Sequence, residues 1–299
     1  MNKVMIFGYL SALLAAVLFG SVPTIAKPVI SNINVLLLSS IAYLIAALVF
    51  TPISKKSKKI LSKKDYIILV AISICGAAAA PCLYFLGLHQ SSATDTSLLS
   101  NVEIMFTVLF GLLFFKERLR PMGVISVMLV VLGVIIITTD LRFSGSILQL
   151  NAGHFFILGS MALWALDNNL SRIISTKMDT ARLVQLKSLI GGSILLGTVL
   201  ALQIPLVIST SQIPQVVLLS AIGFGGSLYF FLQSLKRIGT IRTIMIFSMA
   251  SVFGLVFASI FLHEQISIYQ ISAIAIMLTG IYMINRKESI KENPAFPSH

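Results

Sequence analysis

The chain has 299 residues, of which 57% are hydrophobic and only 11% charged, and its mean hydropathy is +0.98. A soluble domain carries about 25% charged residues to hydrate its surface, so this composition excludes a water-soluble protein. The net charge of +12 does not indicate a nucleic-acid partner, because the basic residues lie in short connectors between apolar runs. The composition therefore predicts an integral membrane protein.

Apolar runs of about 20 residues recur along the chain, the length that an α-helix needs to cross roughly 30 Å of hydrocarbon. The first run is too long for a cleaved signal peptide, so it is predicted to stay as a span. None of the runs shows the alternation with a period of two that is typical of strands. The sequence predicts an all-α protein with ten transmembrane helices, at residues 4–26, 33–51, 66–88, 95–115, 121–139, 153–174, 182–203, 214–235, 240–262 and 267–285.

The distribution of basic residues predicts how these spans are oriented. Of the 22 Lys and Arg residues, only Lys27 and Arg142 fall in the outer connectors, and Lys187 lies inside a span. All the others lie in the inner connectors or at the two ends of the chain, as the positive-inside rule requires. We therefore expect a multi-pass protein of the cell membrane with both termini in the cytoplasm, including the tail 286–299.

The two halves of the chain resemble each other. At an offset of 145 residues, Gly8–Lys27 aligns with Gly153–Arg172 and Gly76–Pro81 aligns with Ala221–Gly226. Because each half holds five spans, an odd number, the second half is predicted to be inverted relative to the first. Inverted repeats place a substrate site near the membrane midplane, between the halves. The predicted five-helix repeats are residues 4–139 and 153–285.

Each half ends in a Glu, a polar turn and a last helix that contains a Gly. The runs Asn101–Leu119, Trp164–Arg172 and Phe247–Gln265 resemble those of the EamA family of the drug/metabolite transporter superfamily. The resemblance covers nearly the whole chain. One departure is that Ile104 and Ser251 stand where the family usually has proline in its fourth and ninth helices, so these two helices lack the residue that would break them.

The resemblance implies an alternating-access transporter, an exporter of small organic metabolites such as amino acids or drug-like compounds, and not an enzyme. No cofactor, metal ion or nucleic acid is expected, since the sequence holds no catalytic, metal-binding or nucleotide-binding motif. The expected partners are a small-molecule substrate and the lipid bilayer, with a homodimer as an open alternative. The rival interpretations are a nucleotide-sugar carrier, an intramembrane enzyme and a structural membrane subunit.

Glu103 is the first candidate site residue. It lies eight residues into the fourth predicted span, about 12 Å deep at 1.5 Å per residue. A charged side chain at the centre of a span costs roughly 2.5–3.5 kcal/mol, so Glu103 is expected to face the protein interior. It is either a site for a substrate amine or a proton, or a carboxyl satisfied by the hydroxyls of Ser100 and Thr107.

Asp167 and Lys187 are predicted to form an ion pair. They lie at equal depth, each about five residues from the cytoplasmic end of consecutive spans, and a short connector makes these spans antiparallel neighbours. The pair is interpreted as structural, because a paired charge escapes the membrane penalty, with a gate as the alternative. Asn168, which follows Asp167, is expected to line the cavity.

Three aromatic residues are candidates for the cavity wall. Trp164, Tyr84 and Tyr229 each combine an aromatic ring that can stack on a ligand or a cation with a polar group that can form a hydrogen bond. Tyr84 and Tyr229 occupy matching places in the repeat, which favours a shared role at the centre. Ordinary helix packing is the alternative interpretation for all three.

Overall fold

The computed structural model describes residues 3–55, 61–115, 118–119, 121–139, 152–284 and 290–291. The basic connector residues 56–60, Arg142 and most of the predicted tail 286–299 lie outside the described residues. The described part of the chain is almost entirely helical, which confirms the all-α prediction. A two-residue antiparallel pairing of β1 (Arg118–Leu119) with β2 (Ile290–Lys291) joins a connector of the first half to the predicted tail.

The first half contains eight helices in its described residues. Several predicted spans are each built from two consecutive helices, because a turn or a π-helical segment interrupts them. The helices are α1 (Lys3–Gly20), α2 (Val22–Ile30), α3 (Val35–Phe50), α4 (Lys63–Ile74), α5 (Ala80–Gln90), α6 (Ala93–Leu99), α7 (Val102–Phe115) and α8 (Pro121–Thr139), with a π-helical turn (Cys75–Ala79) between α4 and α5.

The second half repeats this arrangement in its described residues. A π-helical segment again interrupts its third predicted span, and a break again interrupts its fourth. The helices are α9 (Ala152–Ser175), α10 (Thr180–Ala201), α11 (Ile213–Leu218), α12 (Ser227–Ile238), α13 (Thr240–Phe247), α14 (Ala250–Leu262) and α15 (Ile268–Ile284), with a 3₁₀ turn (Thr210–Gln212) before α11 and the π-helical segment (Leu219–Gly226) after it.

The helical stretches have the length and surface of membrane spans. Within the described residues, four of them are long and apolar enough to cross a bilayer: 4–30, 63–90, 180–201 and 210–238. Large apolar side chains project from the outside of the molecule, among them Leu48, Met128, Phe261 and Ile268. A soluble protein does not expose so much apolar surface. The surface therefore matches a lipid environment.

The fourth predicted span of each half is broken, which the sequence did not predict. Ser100 and Asn101 separate α6 from α7, and Ser248 and Met249 separate α13 from α14. At both places i→i+3 backbone hydrogen bonds replace the α-helical pattern. No proline is present at either break. Serine and asparagine side chains compete for backbone hydrogen-bonding groups, and they provide a physical reason for both breaks.

One hydrogen bond joins the two breaks. Asn101 Nδ2 donates to Ser251 Oγ at 2.9 Å, and both side chains are buried. Ser251 Oγ itself donates to the carbonyl oxygen of Ser248 at 2.8 Å. The break in the first half is therefore tied directly to the break in the second half.

Glu264 caps a helix of the opposite half. α14 ends at His263, which adopts the left-handed conformation (φ 55°), and the next carboxylate reaches the start of α6. Its Oε1 accepts from Ala93 N at 2.9 Å, and its Oε2 accepts from Thr94 N at 2.8 Å and from Thr94 Oγ1 at 2.6 Å. The carboxylate satisfies backbone N–H groups that the helix itself leaves unpaired.

Glu264→Ala is expected to lower the free energy of unfolding by about 0.5–2 kcal/mol, the usual effect of removing a helix N-cap. The thermal unfolding midpoint of the detergent-solubilised protein measures this loss. Gln265→Ala is the matched control, since Gln265 is exposed and directly follows the capping residue. Equal midpoints for the two variants would contradict the capping role.

Helices of the two halves pack against each other in a reciprocal pattern. α3 packs on α10, α8 on α15, and α6 on α14, so each of these contacts joins equivalent spans of the two halves. The first predicted span contacts the eighth through α1 and α12, and the third contacts the sixth through α5 and α9. This pattern brings the middle of each half to a common interface.

Candidate functional site

One face of α9 carries three of the predicted site residues. Trp164, Asp167 and Asn168 are spaced by three and four residues, so their side chains project from the same side of the helix. All three are buried. The next residue, Asn169, faces elsewhere, because its amide donates to the backbone carbonyls of Thr107 and Ala165. α9 therefore presents an indole, a carboxyl and an amide together.

Lys187 of α10 pairs with Asp167. Lys187 Nζ donates to Asp167 Oδ2, and Ser171 Oγ donates to the other carboxylate oxygen at 3.0 Å. The two charged side chains are only 2% and 3% exposed. Because a charge buried without a partner is strongly unfavourable, this contact allows both groups to stay inside the protein.

The π-helical turn before α5 leaves one carbonyl without a backbone donor. In this turn Ala80 N donates to the carbonyl oxygen of Cys75, five residues back, instead of to Gly76 O. In the same register the donor for Gly76 O would be the N–H of Pro81, and proline has none. The Gly76 carbonyl is therefore available to side chains.

Two aromatic side chains donate hydrogen bonds to this carbonyl oxygen. The Tyr43 hydroxyl donates to Gly76 O at 2.9 Å, and Trp164 Nε1 donates to it at 3.0 Å. The Cα of Gly76 also lies against the ion pair, because a Cβ built there would overlap the Asp167 carboxylate and lie 2.9 Å from Lys187 Nζ. Only glycine fits at this position without displacing the pair.

Glu103 faces Asn168. The break before α7 places Glu103 in the first turn of the new helix, where Asn168 Nδ2 donates to Glu103 Oε1 at 2.5 Å. The hydroxyls of Ser100 and Thr107, which were considered as partners of the Glu103 carboxyl, do not bind it. Ser100 Oγ donates to the backbone of α6, and Thr107 Oγ1 has no hydrogen-bond partner among the described residues. In the described part of the chain, no basic nitrogen lies within ion-pairing distance of Glu103.

These groups line a cavity of about 440 Å³, a volume that includes space open to solvent. One wall is polar and contains the two carboxyl groups, the ammonium group and the amide described above. Most of the remaining lining residues are aromatic or apolar. The first half contributes Phe19, Tyr43, Gly76 and Glu103, and the second half contributes the α9 and α10 groups together with Phe224, Ser227, Leu228, Phe231 and Phe247.

Phe19 lies at the centre of the aromatic wall. Its ring centroid is 5.4 Å from that of Trp164, 5.3 Å from that of Phe247 and 6.4 Å from that of Phe224. Tyr43 adds a further contact to Phe224 at 5.4 Å. The rings meet at steep angles or tilted, as aromatic pairs prefer, and they line the same cavity as Glu103.

The structure brings four of the six predicted lining residues together and places the two tyrosines elsewhere. Tyr84 is fully buried behind the wall, with its ring 5.2 Å from that of Trp164. Tyr229 stacks on Phe50 at 5.2 Å, and its hydroxyl accepts from Gln233 Nε2 at 2.9 Å. Matching places in the repeat did not imply matching directions, since a repeat offset does not specify which face of a helix meets the cavity.

Several lining residues were missed at the sequence level. Phe19 had a usable signal, because the repeat alignment pairs it with Trp164, which was predicted. Gly76 had a weaker one, five residues before a proline inside a span. Tyr43 and the three phenylalanines of the second half had none, since apolar aromatic residues occur throughout these helices.

The fold and the cavity define a multi-pass helical membrane protein with a polar site enclosed between its two halves. The description "EamA-like transporter family" fits two stretches of the chain, residues 6–139 and 151–286. The chain belongs to this family, within the drug/metabolite transporter superfamily. The family assignment confirms the resemblance drawn from the sequence.

Two further similarities agree with this assignment. The chain is 30% identical over 217 residues to an uncharacterized transporter of Methanothermobacter thermautotrophicus, a match that covers 72% of this chain and 63% of that protein. The chain thus spans less than two thirds of this relative's length. A solved crystal structure resembles the fold with a TM-score of 0.68 at 17% identity, over 93% of this chain and 96% of the other.

Proposed function

We propose that this transporter exports small organic metabolites, such as amino acids or drug-like compounds, by alternating access. In this proposal the ten predicted spans form two inverted repeats, residues 4–139 and 153–285, with both termini in the cytoplasm. The cavity between the repeats is the substrate site. Its binding groups are Glu103, Trp164, Asp167 and Asn168, and Tyr84 and Tyr229 support the surrounding helices.

The observation that carries the proposal is the enclosure of ionisable groups between the two family repeats. Ionisable side chains inside a membrane protein face its interior or a water-filled path and mark the route of a substrate or ion. Here Glu103 comes from the first repeat, and Asp167 and Lys187 come from the second. A substrate bound among them touches both repeats, so its binding can be coupled to their relative movement.

The reciprocal packing of the halves supports the alternating-access part of the proposal. Contacts between the first and eighth spans mirror those between the sixth and third, and the second, fourth and fifth spans each pack on their own counterparts. Such a pairing is what two repeats related by a pseudo-two-fold axis produce. In this arrangement, closing the cavity on one side and opening it on the other are equivalent movements.

The alternative interpretations have less support. A nucleotide-sugar carrier needs a strongly basic cavity for its phosphates, whereas Lys187, the only basic residue in the described lining, is paired with Asp167. An intramembrane enzyme would draw on the Asp167–Asn169 group, but the amide of Asn169 is bonded to backbone carbonyls outside the cavity. Failure of transport across a broad metabolite panel would favour a structural subunit.

Glu103→Gln is expected to reduce transport about tenfold or more, because a hydrogen bond to a charged group contributes about 1.5–3 kcal/mol. Proteoliposomes loaded with a labelled amino acid or a labelled amine measure the rate by exchange across the membrane. Asp95→Asn is the control, since Asp95 is a carboxylate outside the cavity and the amide keeps the oxygen that accepts from Gln270. A Glu103→Gln rate equal to that of the wild type would remove Glu103 from the mechanism.

A further inference from the structure

Three of the hydrogen-bond donors of the cavity wall are already engaged. The single donors of Tyr43 and Trp164 both point to Gly76 O, and the Ser227 hydroxyl donates to the carbonyl oxygen of Ala15 at 3.1 Å. None of these three groups has a second proton to offer. A ligand that needs donors, such as a carboxylate, is left with the remaining N–H groups of Lys187 and Asn168, and Lys187 is already paired with Asp167.

Acceptors remain free on the same wall. Asn168 uses its amide nitrogen towards Glu103 Oε1, which leaves its own carbonyl oxygen and Glu103 Oε2 without a described partner. Both atoms are acceptors. The site therefore favours a ligand group that carries several N–H donors.

The charges of the cavity give the same preference. Asp167 and Lys187 neutralise each other in direct contact, which leaves Glu103 as the unpaired ionisable group of the described lining. Glu103 is also more accessible than the lysine, with 6% of its surface exposed compared with 1% for Lys187. The ionisable group that is left for a ligand to pair with in the described lining is therefore acidic.

The aromatic wall completes a site for a cation. The rings of Phe19, Trp164 and Phe247 line the same cavity as Glu103. Aromatic faces attract an ammonium group through their quadrupole and also accept an apolar body. Because the indole N–H is engaged by Gly76 O, Trp164 offers its ring and not its donor.

We propose that the cavity selects organic monoamines, that is, primary or secondary ammonium ions with an apolar or aromatic body, over zwitterionic amino acids and over carboxylates. This inference rests on the proposed function only in taking the cavity as the substrate site. The ammonium group binds Glu103 Oε2 and Asn168 Oδ1, and the apolar body packs on Phe19 and Phe247. A zwitterion adds a carboxylate that has no free basic partner there.

The single tryptophan of the chain, Trp164, provides a direct binding signal from the cavity wall. Three probes share one phenyl body and differ only in charge: 2-phenylethylamine, L-phenylalanine and 3-phenylpropanoate. Each is titrated into the purified wild-type protein in detergent while indole fluorescence is excited selectively. We expect the amine to bind about tenfold or more tightly than phenylalanine, since an unpaired like charge at a buried site is strongly disfavoured, and the carboxylate to bind weakest.

The affinities of the wild-type protein for the three probes test the proposal without any variant. Phenylalanine binding as tightly as the amine, or no measurable binding of any probe, would overturn it. Glu103→Gln is expected to reduce the amine preference to about twofold or less, Glu103→Asp to keep it, and Asp95→Asn to leave it unchanged. A Glu103→Gln protein that keeps the full preference would also overturn it.

Transport measured on the same preparations separates this inference from the proposed function. If the amine binds with the expected preference but proteoliposomes do not move it, the proposed function fails and the selectivity of the cavity stands. If proteoliposomes move phenylalanine in preference to the amine, transport stands and the selectivity fails.

Discussion

Lys187→Met alone is expected to leave little folded protein, whereas the double variant Asp167→Asn/Lys187→Met is expected to recover most of the wild-type yield. The single substitution leaves the Asp167 carboxylate buried without its partner, which destabilises a protein by about 3–5 kcal/mol. The double variant removes both charges, and the new amide keeps an oxygen that accepts from Ser171. Size-exclusion chromatography and thermal unfolding of the solubilised proteins measure both effects.

Lys177→Met is the control for this experiment. Lys177 pairs with Asp65 at 2.7 Å, with its own side chain 41% and that of Asp65 5% exposed. Asp65 Oδ2 also accepts from Ser62 N and Ser62 Oγ at 2.9 Å, so the carboxylate keeps partners when Lys177 is removed. We therefore expect its unfolding midpoint to stay close to that of the wild type. A Lys187→Met protein as stable as this control, or a double variant no more stable than Lys187→Met, would show that the buried pair does not act as a unit.

The double variant also separates a structural pair from a gate. If the folded double variant transports at the wild-type rate, the charges serve only to stabilise the folded protein. If it folds and does not transport, the charges take part in the transport cycle. Stability and transport are therefore to be measured on the same preparation.

Gly76→Ala is expected to abolish most transport and to lower stability, while Gly197→Ala is expected to leave transport unchanged and stability equal to or slightly above that of the wild type. A Cβ at Gly76 would overlap the Asp167 carboxylate and lie 2.9 Å from Lys187 Nζ. Overpacking of this kind costs about 1–3 kcal/mol, and here the displaced atoms belong to the buried pair. We expect a transport rate at least about tenfold lower, since positional errors of about 1 Å in a site have effects of this size or more.

Gly197 is the matched position because nothing lies within 4 Å of a Cβ built there. It is also helical, within α10, and alanine in a helix is favoured over glycine by roughly 0.5–1 kcal/mol. Unfolding midpoints and proteoliposome rates of the two variants are compared side by side. Equal behaviour of Gly76→Ala and Gly197→Ala would contradict the close packing of Gly76 against the ion pair.

The sequence was most informative about features that depend only on the position of a residue along the chain. Depth along a span placed Asp167 opposite Lys187, because consecutive helices with a short connector are antiparallel neighbours. Burial of Glu103 followed from the free energy of placing a charge in hydrocarbon. Composition and length predicted an all-helical membrane protein, and the motifs of the two halves indicated the family. None of these inferences required knowledge of how a helix is rotated about its own axis.

The features that the sequence did not reveal depend on that rotation or on local hydrogen bonding. Tyr84 and Tyr229 share a place in the repeat, yet one lies behind Trp164 and the other stacks on Phe50. The breaks at Ser100 and Ser248 are made without proline, by short-range hydrogen bonds that a hydropathy pattern does not record. The aromatic wall was hidden because phenylalanine is frequent in every apolar helix.

The π-helical turn at Gly76 has a consequence for the symmetry of the molecule. In the repeat alignment the counterpart of Pro81 is Gly226, and a glycine has the backbone N–H that proline lacks. The first half thus offers an unpaired carbonyl to the site, and the corresponding position of the second half has no proline that would leave one. The two similar halves therefore contribute different groups to the site. The site does not share the proposed pseudo-two-fold symmetry of the repeats.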